Sequence, residues 1–316
     1  MKKTVRRAAL LRGLLALACS AGAACAIAAP TTPGDLLVTN LSAGTLTEYT
    51  RQGAVVQTFT IPRSDPNFAD LRDVVQGSDG RIFMFNGTFT PWMTVLDPST
   101  GSISNYSMPG WSTVNNVSYG GIAVSGSYVF VSDMFTYGGG EAGGIVRFDL
   151  SNGTASRFAT NYGFEDLSIG LDGRLYADRQ IFDPQTMTSL GTLQLPGAGD
   201  VRGTAVDASG NAYTASWEGV VSKYSASGTL LATLSLGRSL TDIDIDASGN
   251  LVIGSDDGSV YLSDSSLATY TSFKIAPGYF PTVHVAFAAA VPEPATWLML
   301  PVGLFGLAAV ARRRRR

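Results

Sequence analysis

Ala205-Val206-Asp207-Ala208-Ser209-Gly210-Asn211-Ala212-Tyr213-Thr214 and Ile243-Asp244-Ile245-Asp246-Ala247-Ser248-Gly249-Asn250-Leu251-Val252-Ile253 are near copies of one phrase. Each has an apolar run, the turn Asp-Ala-Ser-Gly-Asn, and a second apolar run. Glycine reaches the positive φ that a tight hairpin demands, so each copy predicts two antiparallel strands.

Working outward, the second run of the phrase recurs as Asp35-Leu36-Leu37-Val38, Arg81-Ile82-Phe83-Met84, Tyr128-Val129-Phe130-Val131 and Arg174-Leu175-Tyr176-Ala177. With Asn211 and Asn250, the starts lie 46, 47, 46, 37 and 39 residues apart. Turns such as Ser78-Asp79-Gly80, Ser125-Gly126-Ser127 and Leu171-Asp172-Gly173 precede them. Two further β-rich runs follow in each unit, for example 219–224 with 230–236 and 258–263 with 269–275. Four strands at a period of about 40 residues is the signature of a propeller blade.

Six units are present, and the first lacks its innermost strand while Val283-His284-Val285-Ala286-Phe287 is left over at the end. A C-terminal strand completing the N-terminal blade closes a ring and removes free edges. A β-sandwich or β-helix does not predict this split repeat. The fold expected is therefore all-β, a six-bladed β-propeller over residues 29–288. In its rhythm the chain resembles six-bladed propellers of the NHL and gluconolactonase-like kind.

Aligning the six innermost strands places His284, Asp73, Gly121, Asp166, Gly203 and Asp242 at equivalent positions, where each strand enters the central channel. Asp73, Asp166, Asp242 and His284 are thus candidate ligands for Ca²⁺ or another divalent ion. The lactonase-like resemblance implies a metal in that region, although the Glu, Asn and Asp set of those enzymes has no matching motif context here. The favoured reading is that each Asp bonds backbone amides of a neighbouring blade and that His284 lines the channel. With one histidine in the chain there is little room for a Ser-His-Asp hydrolase or a His-rich zinc site. Asp242, Asp244 and Asp246 alternate along a strand and share one face, while Asp256-Asp257-Gly258 reads as a turn. Trp92, Trp111 and Trp217 would stack on sugar rings if exposed; aromatics between blades are the commoner use.

The two ends carry addresses. Lys2, Lys3, Arg6, Arg7 and Arg12 precede the apolar stretch Leu14 to Ala24 and the Ala26-Ile27-Ala28 site, so residues 1–28 read as a secretory signal peptide for signal peptidase. A twin-arginine signal at Arg6-Arg7 and a lipoprotein site at Cys19 fit their flanks less well. Cys19 and Cys25 both lie in this segment, so the exported chain is expected to hold no thiol and no disulfide. At the other end, residues 289–296 form a linker containing Val291-Pro292-Glu293-Pro294-Ala295. The uncharged run 295–311 is at the short end of what spans a bilayer, with the transmembrane helix expected over 297–311, and Arg312 to Arg316 hold the terminus on the cytoplasmic side.

This three-part tail resembles the PEP-CTERM sorting domain of Gram-negative bacteria. The resemblance implies that Pro292, Glu293 and Pro294 are read by an exosortase. It also implies an inner-membrane anchor before processing, a surface or extracellular location afterwards, and a setting of exopolysaccharide or biofilm.

Charge argues against one partner class. Of 22 Lys and Arg, five fall in the signal and five in the tail, leaving 12; of 25 acids only Glu293 is in the tail, leaving 24. The middle therefore carries 12 minus 24, or −12, which excludes nucleic acid as a natural partner because phosphate binding needs a basic face. The expected function is a non-enzymatic binding or scaffold module that meets exopolysaccharide or a surface protein. The alternative is a metal-dependent, lactonase-like hydrolase at the mouth of the channel.

Overall fold

The computed structural model describes residues 28–63, 71–87, 92–107, 120–133, 143–160, 163–275 and 281–290. The expected signal segment up to residue 27, the sorting motif Pro292, Glu293 and Pro294, the apolar segment 297–311 and the arginine cluster lie outside them. So do Trp111 and most of the glycine-rich stretch 138–144.

The described residues are all-β and form six four-stranded antiparallel sheets, the blades of a six-bladed propeller. Blade 1 contains β1 (Leu36–Asn40), β2 (Thr45–Tyr49) and β3 (Val55–Thr60). Blade 2 is β4 (Leu71–Gln76), β5 (Ile82–Asn86), β6 (Trp92–Asp97) and β7 (Ser102–Ser107). Blade 3 is β8 (Ile122–Ser125), β9 (Tyr128–Asp133), β10 (Gly144–Asp149) and β11 (Thr154–Ala159). Blade 4 is β12 (Leu167–Ile169), β13 (Leu175–Ala177), β14 (Gln180–Phe182) and β15 (Ser189–Thr192). Blade 5 is β16 (Val201–Val206), β17 (Ala212–Ser216), β18 (Val220–Tyr224) and β19 (Leu230–Ser235). Blade 6 is β20 (Leu240–Ile245), β21 (Asn250–Ser255), β22 (Ser259–Asp264) and β23 (Tyr270–Lys274), and β24 (Val285–Phe287) remains.

The repeated pentapeptide folds the same way twice. Asp207 Oδ1 accepts the amides of Ser209 and Asn211 at 2.9 Å, and Asp246 Oδ1 accepts those of Ser248 and Asn250 at 2.9 Å. Gly210 and Gly249 sit at φ +79° and +82°, where a side chain would be strained. The aspartate thus closes the turn that glycine permits, and each phrase becomes the hairpin joining the two innermost strands of its blade.

Packing explains why the middle strands read as continuous apolar runs rather than as alternating ones. Each sheet lies between two others, so β5 and β17 are buried at every position, whereas the outermost β15 is exposed at every position. Six apolar clusters fill the six gaps between blades, among them Phe83, Phe85 and Val131 between blades 2 and 3, and Tyr213, Leu240 and Ile253 between blades 5 and 6.

Closure of the ring follows the split repeat. β24 pairs antiparallel with β1, with Leu36 opposite Phe287 and Val38 opposite Val285. The pairing extends through Thr39 N donating to His284 O at 3.0 Å and ends with Ala288 N on Asp35 O at 2.8 Å, while Ala289 N donates to Gln76 Oε1 of blade 2 at 2.8 Å. Val283, Val285 and Phe287 are all buried. At about 1.5–3 kcal/mol each, their burial contributes roughly 5–9 kcal/mol, on the scale of the net stability of a whole domain. A chain ending at residue 290 is therefore expected to unfold cooperatively like the full protein, and one ending at residue 282 to show no cooperative transition by circular dichroism.

Candidate functional site

Asp73, Asp166 and Asp242 stand at the start of the innermost strands of alternate blades, and in the blades between them the equivalent position holds Gly121, Gly203 or His284. Each aspartate reaches across one blade boundary. Asp73 Oδ2 accepts the amide of Ile122 at 2.6 Å, Asp166 Oδ2 that of Thr204 at 2.8 Å, and Asp242 Oδ2 that of Val285 at 2.7 Å. The other oxygen of two of them turns back on its own strand, with Val74 N on Asp73 Oδ1 and Ile243 N on Asp242 Oδ1, both at 2.7 Å. The ring therefore repeats as three pairs of blades, each pair tied by one buried carboxylate.

The glycines belong to the same device. A Cβ on Gly121 would lie 2.2 Å from Leu167 N and 2.7 Å from Asp166 Cα; one on Gly203 would lie 2.8 Å from Ile243 N. Backbones of neighbouring blades meet there, so a side chain is excluded. Blade 1 departs from this rule by presenting His284 to the channel.

Asp242, Asp244 and Asp246 share one face of blade 6, and that face is the seam with blade 1. Asp244 Oδ2 accepts Phe287 N at 2.8 Å, and Asp246 Oδ2 accepts Arg51 Nη2 at 2.6 Å. Two alternate amides of β24 and one guanidinium of blade 1 are thus held by three carboxylates in a row.

Electrostatics in the channel are severe. Burial pushes the Asp73 carboxyl well above its ordinary 3.8, the charges of Asp242 and Asp166 push it further, and the two amides only partly pull it back. Asp166 is raised well above its ordinary value by burial and by Asp242. Burial likewise raises Asp242 to about 7 and Asp244 to about 6. The same desolvation, with help from the nearby Arg72 charge, lowers His284 to about 3, so its imidazole is neutral and keeps a free lone pair.

Of the four residues expected to converge, three do so. Asp73, Asp242 and His284 each offer a ligand atom within 4.8 Å of the others, with His284 Nδ1 4.0 Å from Asp242 Oδ2; Asp166 is not in that group. A separation of that size is the span between opposite ligands of an ion bound at about 2.4 Å. The donor set of two carboxylates and one neutral imidazole suits a divalent cation, but both carboxylates already accept two amides each.

Of a second cluster at the same mouth, sequence reasoning singles out Trp217 alone. Asp178 holds φ +49° and its carboxylate accepts the amides of Glu165 and Asp166, while burial raises it to about 7. Arg202 pairs with Glu165, lies 2.6 Å from Asp200 Oδ2, and sits 4.9 Å from the centre of the Trp217 ring. These residues come from blades 4 and 5 and from different strands, so no spacing in the chain announces them.

No family model matches the chain, and no curated protein matches it. Its fold is similar to solved structures at low identity. One is a chain of a nidogen–laminin complex, with TM-score 0.62, 13% identity, and coverage of 82% of this chain and 99% of that one. Another is a protein of unknown function from Bacteroides caccae, with TM-score 0.54, 12% identity, and coverage of 80% and 99%. A third is a luciferin-regenerating enzyme, with TM-score 0.55, 15% identity, and coverage of 84% and 96%. These likenesses define the protein as a propeller of this architecture and carry nothing finer.

Two outcomes are expected. Gly121→Ala should destabilise the protein by an amount at the upper end of about 1–3 kcal/mol, measured by denaturant unfolding, because backbone rather than a movable side chain blocks the added methyl. The pH profile follows from the sign of the shifts. Asp242, Asp244 and Asp178 bind protons more tightly folded than unfolded, so stability falls as pH rises from about 4 through about 7. His284 acts oppositely, and its contribution is lost as pH drops from 6.5 toward 3. Between about pH 4 and 6 the three raised carboxyls outweigh the one histidine, so thermal melts should peak near about pH 4 and fall toward about pH 7; a flat profile over that range would contradict the assignment.

Proposed function

We propose that this chain is an exported β-propeller that works as a non-enzymatic binding or scaffold module at the cell surface or in an exopolysaccharide matrix. The observation that carries the reading is the use made of the channel carboxylates. Asp73, Asp166 and Asp242 are each committed to an amide of the adjacent blade, so the residues best placed for chemistry are spent on holding the ring together. Among the similar folds one belongs to a nidogen–laminin complex and another to an enzyme, so fold alone is compatible with either class.

The route to the surface is part of the proposal. Signal peptidase would cut after Ala28, and Ala29 is already docked, its amide and carbonyl paired with the side-chain amide of Gln57 at 3.3 and 2.9 Å. An exosortase would act at Pro292, Glu293 and Pro294, and every closing bond of the ring described above lies at or before Ala289. Processing at both ends then leaves an intact disc.

The approach of Asp73, Asp242 and His284 to within 4.8 Å supports a second reading, a metal-dependent lactonase-like hydrolase. Elemental analysis of the purified protein, paired with a sedimentation assay on polysaccharide from the producing cells, separates the two. Saturable polysaccharide binding unchanged by chelator and by His284→Ala is the expected result. One divalent ion per chain, lost in His284→Ala, together with lactone hydrolysis, would overturn the scaffold reading.

A further inference from the structure

Trp217 is the one tryptophan placed in the open among the described residues, 46% exposed in the turn between β17 and β18. An indole that size gains from burial, so its exposure needs an account. The turn that carries it is fixed from several sides. Trp217 N donates to Asp200 O at 2.9 Å, Gly219 N donates to Ser216 O at 3.0 Å, and the Glu218 carboxylate accepts Asp200 N at 3.2 Å. Gly219, at φ +81°, lies so close to the backbone of Arg238 that a Cβ would come within 2.6 Å of Arg238 O. The indole is thus mounted on a rigid hairpin rather than on a loose loop.

One side of the ring is already backed. The Arg202 guanidinium lies 4.9 Å from the ring centre, and it is itself held by Glu165 and by Asp200 at 2.6 Å. With Arg202 in place the indole is still 46% exposed. A flat apolar face backed by a cation and flanked by the carboxylates of Asp200 and Glu218 matches a pyranose. Such a ring offers axial C–H groups to the indole and equatorial hydroxyls to the rim.

We infer that Trp217 is a sugar-stacking platform at the mouth of the channel, taking neutral or amino-sugar pyranosides. Charge sets the preference. The guanidiniums here are already paired, Arg202 with Glu165 and Asp200 and Arg238, across the turn, with Asp257, and the Glu218 carboxylate stands beside them, so the rim disfavours uronates and accepts uncharged or cationic sugars. This deepens the binding-module reading and rests on it, by naming the chemical class that the disc holds.

The test titrates the purified protein with three soluble probes: a β-linked glucose hexamer, an N-acetylglucosamine hexamer and a galacturonate hexamer. Calorimetry and indole fluorescence report binding. At least one of the first two should bind saturably, and the uronate at least about tenfold more weakly. Trp217→Ala should weaken the bound oligomer by about tenfold or more with the melting temperature unchanged, while Trp217→Phe retains most of the affinity. Absence of binding by both neutral probes, or equal binding by Trp217→Ala, overturns the platform. Polysaccharide from the producing cells separates the two readings. If wild type and Trp217→Ala sediment with it equally, the platform falls and the binding module stands; if the wild type does not sediment with it, both fall.

Discussion

The ring depends on buried carboxylates that accept amides across blade boundaries. A propeller blade makes its ladder hydrogen bonds within itself, so the contact between blades is otherwise side-chain packing, which is apolar and poor at fixing register. Asp73, Asp166 and Asp242 supply the missing direction, each linking the N-terminal end of one innermost strand to the amide one residue into the next. Charge-assisted bonds of this type are stronger than neutral ones, and in a dry channel they are also demanding, because a carboxylate left short of donors there is costly. The raised proton affinities of these groups express that tension: burial and mutual repulsion exceed what two amides return.

From this constraint the alternation of residues around the channel follows. Where an aspartate-bearing strand meets the blade before it, backbones approach so closely that glycine is needed, as at Gly121 and Gly203. The third such place, between blades 1 and 2, holds His284 instead; on the other side of blade 1 the row Asp242, Asp244 and Asp246 reinforces the seam with blade 6. Closing a ring with a strand of three residues is feasible because the seam adds carboxylate–amide bonds to the apolar contacts of Val283, Val285 and Phe287.

The same commitments shape what remains for function. Groups spent on structure in the channel leave the rim as the place where side chains have free faces. Arg202 connects the two regions, since it stands next to Gly203 on β16 and supports Trp217 outside. A rigid hairpin, a backed indole and an acidic rim form a surface whose recognition chemistry comes from the turn joining β17 and β18, while the scaffold beneath it is common to every blade.

By itself the sequence determined the number of blades, the strand order within each and the closing strand. These are local and periodic properties: Asp-Ala-Ser-Gly-Asn makes its turn from its own atoms, and strand-length apolar runs need burial on both faces wherever they sit. The aspartates of the channel were also legible as a set, because one position per blade recurs with the repeat. That each carboxylate bonds an amide of a neighbouring blade was expected from its place in the repeat, but which amide it takes was decided only by the tertiary structure, since that partner lies from 38 to 49 residues away. The convergence of Asp73, Asp242 and His284 without Asp166 depends on where neighbouring strands enter the channel, which spacing does not encode. Trp217 shows the limit most plainly. Its residue type fits a core between blades as well as an open platform, and only the fold places Arg202 against the indole and still leaves it 46% exposed.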